Sequence, residues 1–272
     1  YYLRHYQVNL MEVSEKPKKP KNSKKSNILL VIWLLLWTGA SLVASQFIIV
    51  YLLYFILGRE TLTTPVWTTV MDALIYALTL FFVLFVPPRL FRKKTSPKKN
   101  PDWTTDREEL GLKGLPTWTD IGLAPVGFIV YLLLATVLVS IFSFFPFFDL
   151  SEAQDVGYNF LNSGLDKIVA FIALCLIAPI IEETIFRGFL YGKLRGKISG
   201  RLSLPLSAFL VSLLFGILHG QWNVGVNVFA MSLVLCALRE ITGTIYSGIL
   251  LHIIKNTVAF VLLYIIGTGG IY

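Results

Sequence analysis

Ile28 to Leu57 reads ILLVIWLLLWTGASLVASQFIIVYLLYFIL, thirty residues without a charge. A hydrocarbon core about 30 Å thick is crossed by about 20 apolar residues of helix, so this stretch is long enough to span a membrane. It is too long for the core of a signal peptide, and no small-residue cleavage site separates it from a polar domain. The rest of the 272-residue chain agrees: 55% of it is hydrophobic and 15% charged, with a mean hydropathy of +0.69. A soluble domain carries about a quarter charged residues.

Further apolar segments follow at 66–86, 121–145, 167–191, 202–218, 224–238 and 244–266. Together they predict an all-α fold, a polytopic transmembrane helical bundle of about seven to eight spans. The segment at 224–238 is short and begins among Gln221, Trp222 and Asn223, so it is expected to lie tilted or half-buried between neighbours. Three regions follow: a disordered cytoplasmic tail at 1–27, transmembrane helices at 28–166 with a basic cytoplasmic loop at 87–120, and a second unit of transmembrane helices at 167–272. The ten residues before Met11, His5 among them, are expected to stand outside the functional part.

Net charge is +8, and its placement decides its meaning. Six lysines fall between Lys16 and Lys25, and Arg89, Arg92, Lys93, Lys94, Lys98 and Lys99 follow the second apolar segment. Basic residues in short segments beside apolar spans set orientation, because cytoplasmic loops carry the excess of Lys and Arg. No aromatic-interleaved module accompanies them, so the charge does not call for nucleic acid. The connector 147–166 holds Asp149, Glu152, Asp155 and Asp166 without a Lys or Arg, which places it outside. These features predict an integral protein of a prokaryotic cell membrane with a cytoplasmic N-terminus. Cys175 and Cys236 lie in apolar runs and read as small packing residues rather than a disulfide.

An ionisable residue at membrane depth is costly and marks function by default. Glu182, Glu183 and Arg187 fall in one apolar segment. Glu183 and Arg187 are i and i+4 and can pair, whereas Glu182 is turned about 100° away and lacks that partner. It is therefore the carboxylate suited to exchange a proton. Phe215 and His219 form a second cluster, and His252, Lys255 and Asn256 a third, with His252 and Asn256 one turn apart on one face. Counting about 1.5 Å per residue from the cytoplasmic side puts Glu182, His219 and His252 at depths of about 16, 22 and 14 Å, one middle layer. Lys255 is left with three roles: tuning a carboxylate, binding a substrate C-terminus, or pairing with Glu240. Asp72, in the second span, reads as an interfacial or cavity-facing carboxylate. Gly188, Gly192, Gly196 and Gly200 read as loop or close helix contact, since no strand and no Lys-Ser/Thr ending makes them a phosphate cradle.

Glu-Glu-x-x-x-Arg, Phe-x-x-x-His and His-x-x-x-Asn, in this order on successive apolar helices, resemble the CAAX protease and bacteriocin-processing family, which includes the type II CAAX prenyl endopeptidases and bacterial self-immunity proteins. The resemblance implies hydrolysis of peptide bonds in membrane-associated peptides or proteins, lipidated ones included. It implies that Glu182 and His219 activate water, that His252 and Asn256 stabilise the oxyanion, and that Glu183, Arg187 and Phe215 support them. No cofactor is favoured. Zinc held by Glu182, His219 and His252 is the alternative, weakened by Asn being a poor zinc ligand and by the lack of a His-Glu-x-x-His motif. Two other functions stay open: a catalytically silent scaffold or bacteriocin self-immunity protein on the same fold, and a proton-coupled transporter.

Overall fold

The computed structural model describes residues 23–62, 64–87, 105–149, 158, 161 and 163–267. Most of the expected tail, the basic cluster at 89–99, Glu152 and Asp155 lie outside the described residues. Seven principal helices run through the rest: α1 (Ser23–Leu57), α2 (Pro65–Leu84), α3 (Trp118–Phe142), α4 (Gly164–Lys197), α5 (Ser203–Ile217), α6 (Trp222–Thr242) and α7 (Tyr246–Ile266). Among the described residues there is no strand.

Helix starts are written in short polar signals at the edges of the apolar runs. α2 opens on Pro65, whose missing N–H costs nothing in a first turn. Reciprocal capping boxes open α3 (Thr117 with Asp120) and α4 (Ser163 with Asp166), satisfying two otherwise unpaired N–H groups in each case. Both helices therefore begin three residues ahead of the apolar segments that predict them.

Six helices are long and apolar enough to cross a membrane, and the exception is α5, at 15 residues. This corrects the expectation that the sixth segment is the short one. α6 runs a full 21 residues; it reads short because Asn223 at its start and Arg239 and Glu240 near its end bound the apolar run inside the helix. α5 at about 1.5 Å per residue reaches only about 22 Å. It then turns through Leu218, His219 and Gly220 into α6. His219 thus lies beyond the end of its helix, and not within a span as its apolar neighbours suggest.

The α5–α6 hairpin closes on a glycine crossing. A Cβ on Gly216 would sit 2.8 Å from the Gly225 carbonyl oxygen, and one on Gly225 would sit 3.0 Å from that of Gly216. Only residues without side chains let the backbones meet this closely.

α4 is the centre of the bundle. Ile185 to Tyr191 are all buried, and Phe215, Met231 and Leu235 belong to the same core. Its helical winding widens to π geometry at Ile172–Ile177 and again at Thr184–Tyr191, on either side of the two glutamates. Outward-facing apolar side chains such as Phe55, Ile129 and Leu133 stay exposed, the pattern of a bundle whose solvent is lipid.

One end of the bundle is sealed by residues 105–116. Lys193 Nζ meets Glu109 Oε2 at 3.0 Å, Arg239 Nη2 donates to the Glu109 carbonyl at 2.9 Å, and Ile245 N–H donates to the Gly111 carbonyl at 3.1 Å. Leu110 is buried against Gly188, where a Cβ would lie 3.0 Å from the Leu110 carbonyl oxygen. Gly188 is therefore a close-contact position inside α4, and Gly200 sits in the turn beyond it at φ +84°. A Cβ on Gly192 would meet the Glu109 carbonyl oxygen at an ordinary 3.6 Å, and Gly196 lies within the helix with open space beside it, so the expectation of loop or close contact does not hold there. None of the described residues of this segment lines the cavity described next.

Candidate active site

At the other end of the helices, a cavity of about 990 Å³ is lined by the first turns of α2 and α6 and the last turns of α7. Glu182, His219, His252 and Asn256 all face it, together with Phe215, Lys255 and Asp72. The four residues assigned to chemistry come from α4, the α5–α6 turn and α7, and the fold brings them to one space. Glu183 and Arg187 do not reach it. They are fully buried behind His252.

Arg187 Nη1 donates to Glu183 Oε1 at 2.8 Å, the i,i+4 pair expected on this helix. The same oxygen faces His252 Nδ1 at 3.0 Å. A carboxylate accepts, so the proton of this bond is on Nδ1. The Arg187 guanidinium also lies 4.7 Å over the Phe215 ring, and that ring stands edge-on to His219 at 4.8 Å. Phe215 therefore joins the buried pair to the cavity wall. Removing one partner of such a pair leaves the other charged and buried, which costs about 3–5 kcal/mol.

His219 Nδ1 lies 2.8 Å from the Phe215 carbonyl oxygen. Since a carbonyl only accepts, Nδ1 carries the proton and the Nε2 lone pair is left for the cavity. Asn256 is held through the irregularity of α4. The Ala178 N–H is given to the Ala173 carbonyl, and Pro179 has no N–H to offer, so the Leu174 carbonyl lacks a helical partner. Asn256 Nδ2 fills that vacancy at 2.8 Å. An amide nitrogen carries two protons, so one remains for a ligand.

Glu182 lacks Arg187, as its place on the helix dictates, but it has a different partner. The Tyr76 hydroxyl, from the middle of α2, donates to Glu182 Oε1 at 2.5 Å. The other oxygen, Oε2, lies 3.8 Å from His252 Nε2, beyond hydrogen-bonding distance. Tyr76 is the residue that reading the sequence missed. Its signal is present, because Thr69, Asp72 and Tyr76 fall on one face of an otherwise apolar span, and all three line the cavity. Asp72 is cavity-facing, one of its two expected placements, and its Oδ2 lies 3.5 Å from the Tyr158 hydroxyl.

Lys255 faces the cavity without a hydrogen bond or ion pair among the described residues. Its expected alternative partner, Glu240, is taken elsewhere: Arg195 Nε and Nη2 reach Glu240 at 2.6 and 2.9 Å, and the Tyr191 hydroxyl at 2.9 Å. Cys175 and Cys236 are buried free thiols. Among the described residues no group of three or more His, Cys, Asp and Glu side chains is arranged to hold a metal ion.

Residues 164–258 match the family model described as Type II CAAX prenyl endopeptidase Rce1-like. The stretch contains all seven motif residues, from Glu182 to Asn256, and bears out the resemblance to the CAAX protease family that they carry. Tyr76 and Asp72 lie outside it. No curated protein and no solved structure matches the chain.

Proposed function

We propose that this integral membrane protein is an intramembrane endopeptidase that hydrolyses peptide bonds of membrane-associated peptides or proteins with water activated by Glu182 and His219. The observation that carries the reading is the convergence of Glu182, His219, His252 and Asn256 on one cavity, from three parts of the chain. The family match over 164–258 supports the same class of reaction.

In this reading water sits between Glu182 Oε2 and His219 Nε2, and Oε2 takes its proton as the oxygen attacks the scissile carbonyl carbon. The oxyanion that forms accepts from the second Asn256 N–H and from His252 Nε2–H. Donors fixed in advance toward developing charge are often the largest single contribution to catalysis. With Nδ1–H directed to Glu183, a proton on Nε2 makes the His252 ring an imidazolium, and in this reading Arg187 and His252 together offset the two carboxylates of Glu183 and Glu182. Glu182 then returns its proton to the amide nitrogen as the C–N bond breaks, releasing an amine and a carboxylic acid whose remaining proton passes to the amine, which leaves as an ammonium beside a carboxylate. Lys255 is suited to a carboxylate of the bound peptide. With the lysine-rich ends of α1 and α4 in the cytoplasm, the cavity occupies the half of the bundle away from it.

The test is cleavage of a fluorogenic peptide library, prenylated members included, by the purified protein in detergent, with Glu182→Gln and His219→Ala alongside and a strong chelator in half the samples. Cleavage by the wild type that survives the chelator and is lost in both variants is the expected result. Loss with chelator and recovery with zinc would contradict the metal-free mechanism, and no cleavage by folded wild type would contradict the activity.

A further inference from the structure

We infer that Tyr76 is a positioning residue of this site, acting through Glu182 and supplied by a helix outside the family-matched stretch. The inference rests on the endopeptidase reading and adds to it an assignment of the two carboxylate oxygens. The donor–acceptor distance of 2.5 Å is at the short end of the range for a hydroxyl donating to an oxygen, so the two side chains are in direct hydrogen-bonding contact. A glutamate side chain in a roomy cavity has several rotamers, and ordering it costs free energy at each turnover unless the protein does so beforehand. Tyr76 holds Oε1 and so leaves Oε2 as the proton acceptor. Oε2 faces His252 Nε2 across 3.8 Å, a gap that neither group closes by itself and that the reacting water or amide can enter.

The choice of a phenol is informative beside the neighbouring glutamate. Glu183 is paired with a guanidinium, which neutralises it and fixes it as structure. Glu182 receives a neutral donor, which orients a base without cancelling its charge. Two adjacent carboxylates on one helix thereby acquire different work.

The competing account is that a buried phenol simply finds the nearest acceptor, and it predicts a loss of stability without a specific loss of turnover. The deciding experiment compares kcat, KM and melting temperature for wild type, Tyr76→Phe and Thr79→Val in detergent. Thr79 is buried one turn further along α2, outside the cavity, and bonds only to the Ile75 carbonyl. Tyr76→Phe is expected to lower kcat by about 10- to 100-fold, the range for a hydrogen bond to a charged group, with KM within about twofold and Thr79→Val unchanged. Melting temperatures of Tyr76→Phe, Glu182→Gln and the double variant are expected to be non-additive, because the two side chains share one bond. Should Tyr76→Phe not fold, 3-fluorotyrosine at position 76 keeps the shape, alters the hydroxyl, and is expected to change kcat but not KM. An unchanged kcat in a wild type that cleaves peptides overturns the inference and leaves the endopeptidase reading standing. A rise in KM at constant kcat overturns the positioning role in favour of substrate binding. Absence of cleavage by folded wild type overturns both, whatever the melting temperatures show.

Discussion

Glu240 and Glu182 lie toward opposite ends of the same bundle, and the fold treats them differently. Glu240 receives three donors, two from Arg195 and one from Tyr191, at an end that residues 105–116 seal. Glu182 receives one donor, and its second oxygen looks into a cavity of about 990 Å³. A carboxylate with all its neighbours in place has nothing left to give a substrate. One that is held by a single oxygen is both oriented and available. The same contrast separates Arg195, clamped on Glu240, from Lys255, which faces the cavity without such a clamp. Ionic groups close the bundle at one end, and at the other they are kept short of saturation.

The largest expected effect that sharpens this contrast is at Glu182. Glu182→Gln keeps the side-chain volume and removes the base, so cleavage is expected to fall by about 10²- to 10⁴-fold, read from initial rates on the best library peptide. Next is the hairpin that presents His219. A methyl on Gly216 would meet the Gly225 carbonyl at 2.8 Å, where backbone rather than a flexible side chain must yield. Gly216→Ala is expected to cost about 1–3 kcal/mol in chemical denaturation, as overpacked cores do, and to lower cleavage by displacing His219. The smallest effect is expected at the sealed end. Glu240→Gln breaks a partly exposed ion pair, and the expected loss is about 1 kcal/mol or less, with cleavage unchanged. A large loss of cleavage there would break the contrast, since it would put chemistry at the end that residues 105–116 cover.

Much of the fold is legible in the sequence because lipid as a solvent imposes one rule, that a spanning segment be apolar and helical. Every apolar segment corresponds to a helix, and the polar residues set apart in the second half of the chain do meet. What was misread has physical causes. The span lengths of α5 and α6 were exchanged because Asn223 at one end and Arg239 and Glu240 near the other bound the apolar run of α6 inside its helix, while α5 carries no charge yet stops at a glycine crossing. Tyr76 was missed because a tyrosine in an apolar span reads as an interfacial anchor or packing residue. Its meaning comes from a partner 106 residues away. The seat of Asn256 was equally hidden, since it depends on π winding and on Pro179 leaving the Leu174 carbonyl without a helical N–H.

The most direct test sets the two carboxylates against each other, with cleavage rate and melting temperature measured on Glu182→Gln and Glu240→Gln in one detergent and at one temperature. The expected outcome is a divergence: Glu182→Gln loses cleavage far out of proportion to any change in its melting temperature, whereas Glu240→Gln cleaves like the wild type and melts slightly lower. Glu182→Gln that still cleaves at the wild-type rate would contradict the account, and so would Glu240→Gln that stays folded and does not cleave.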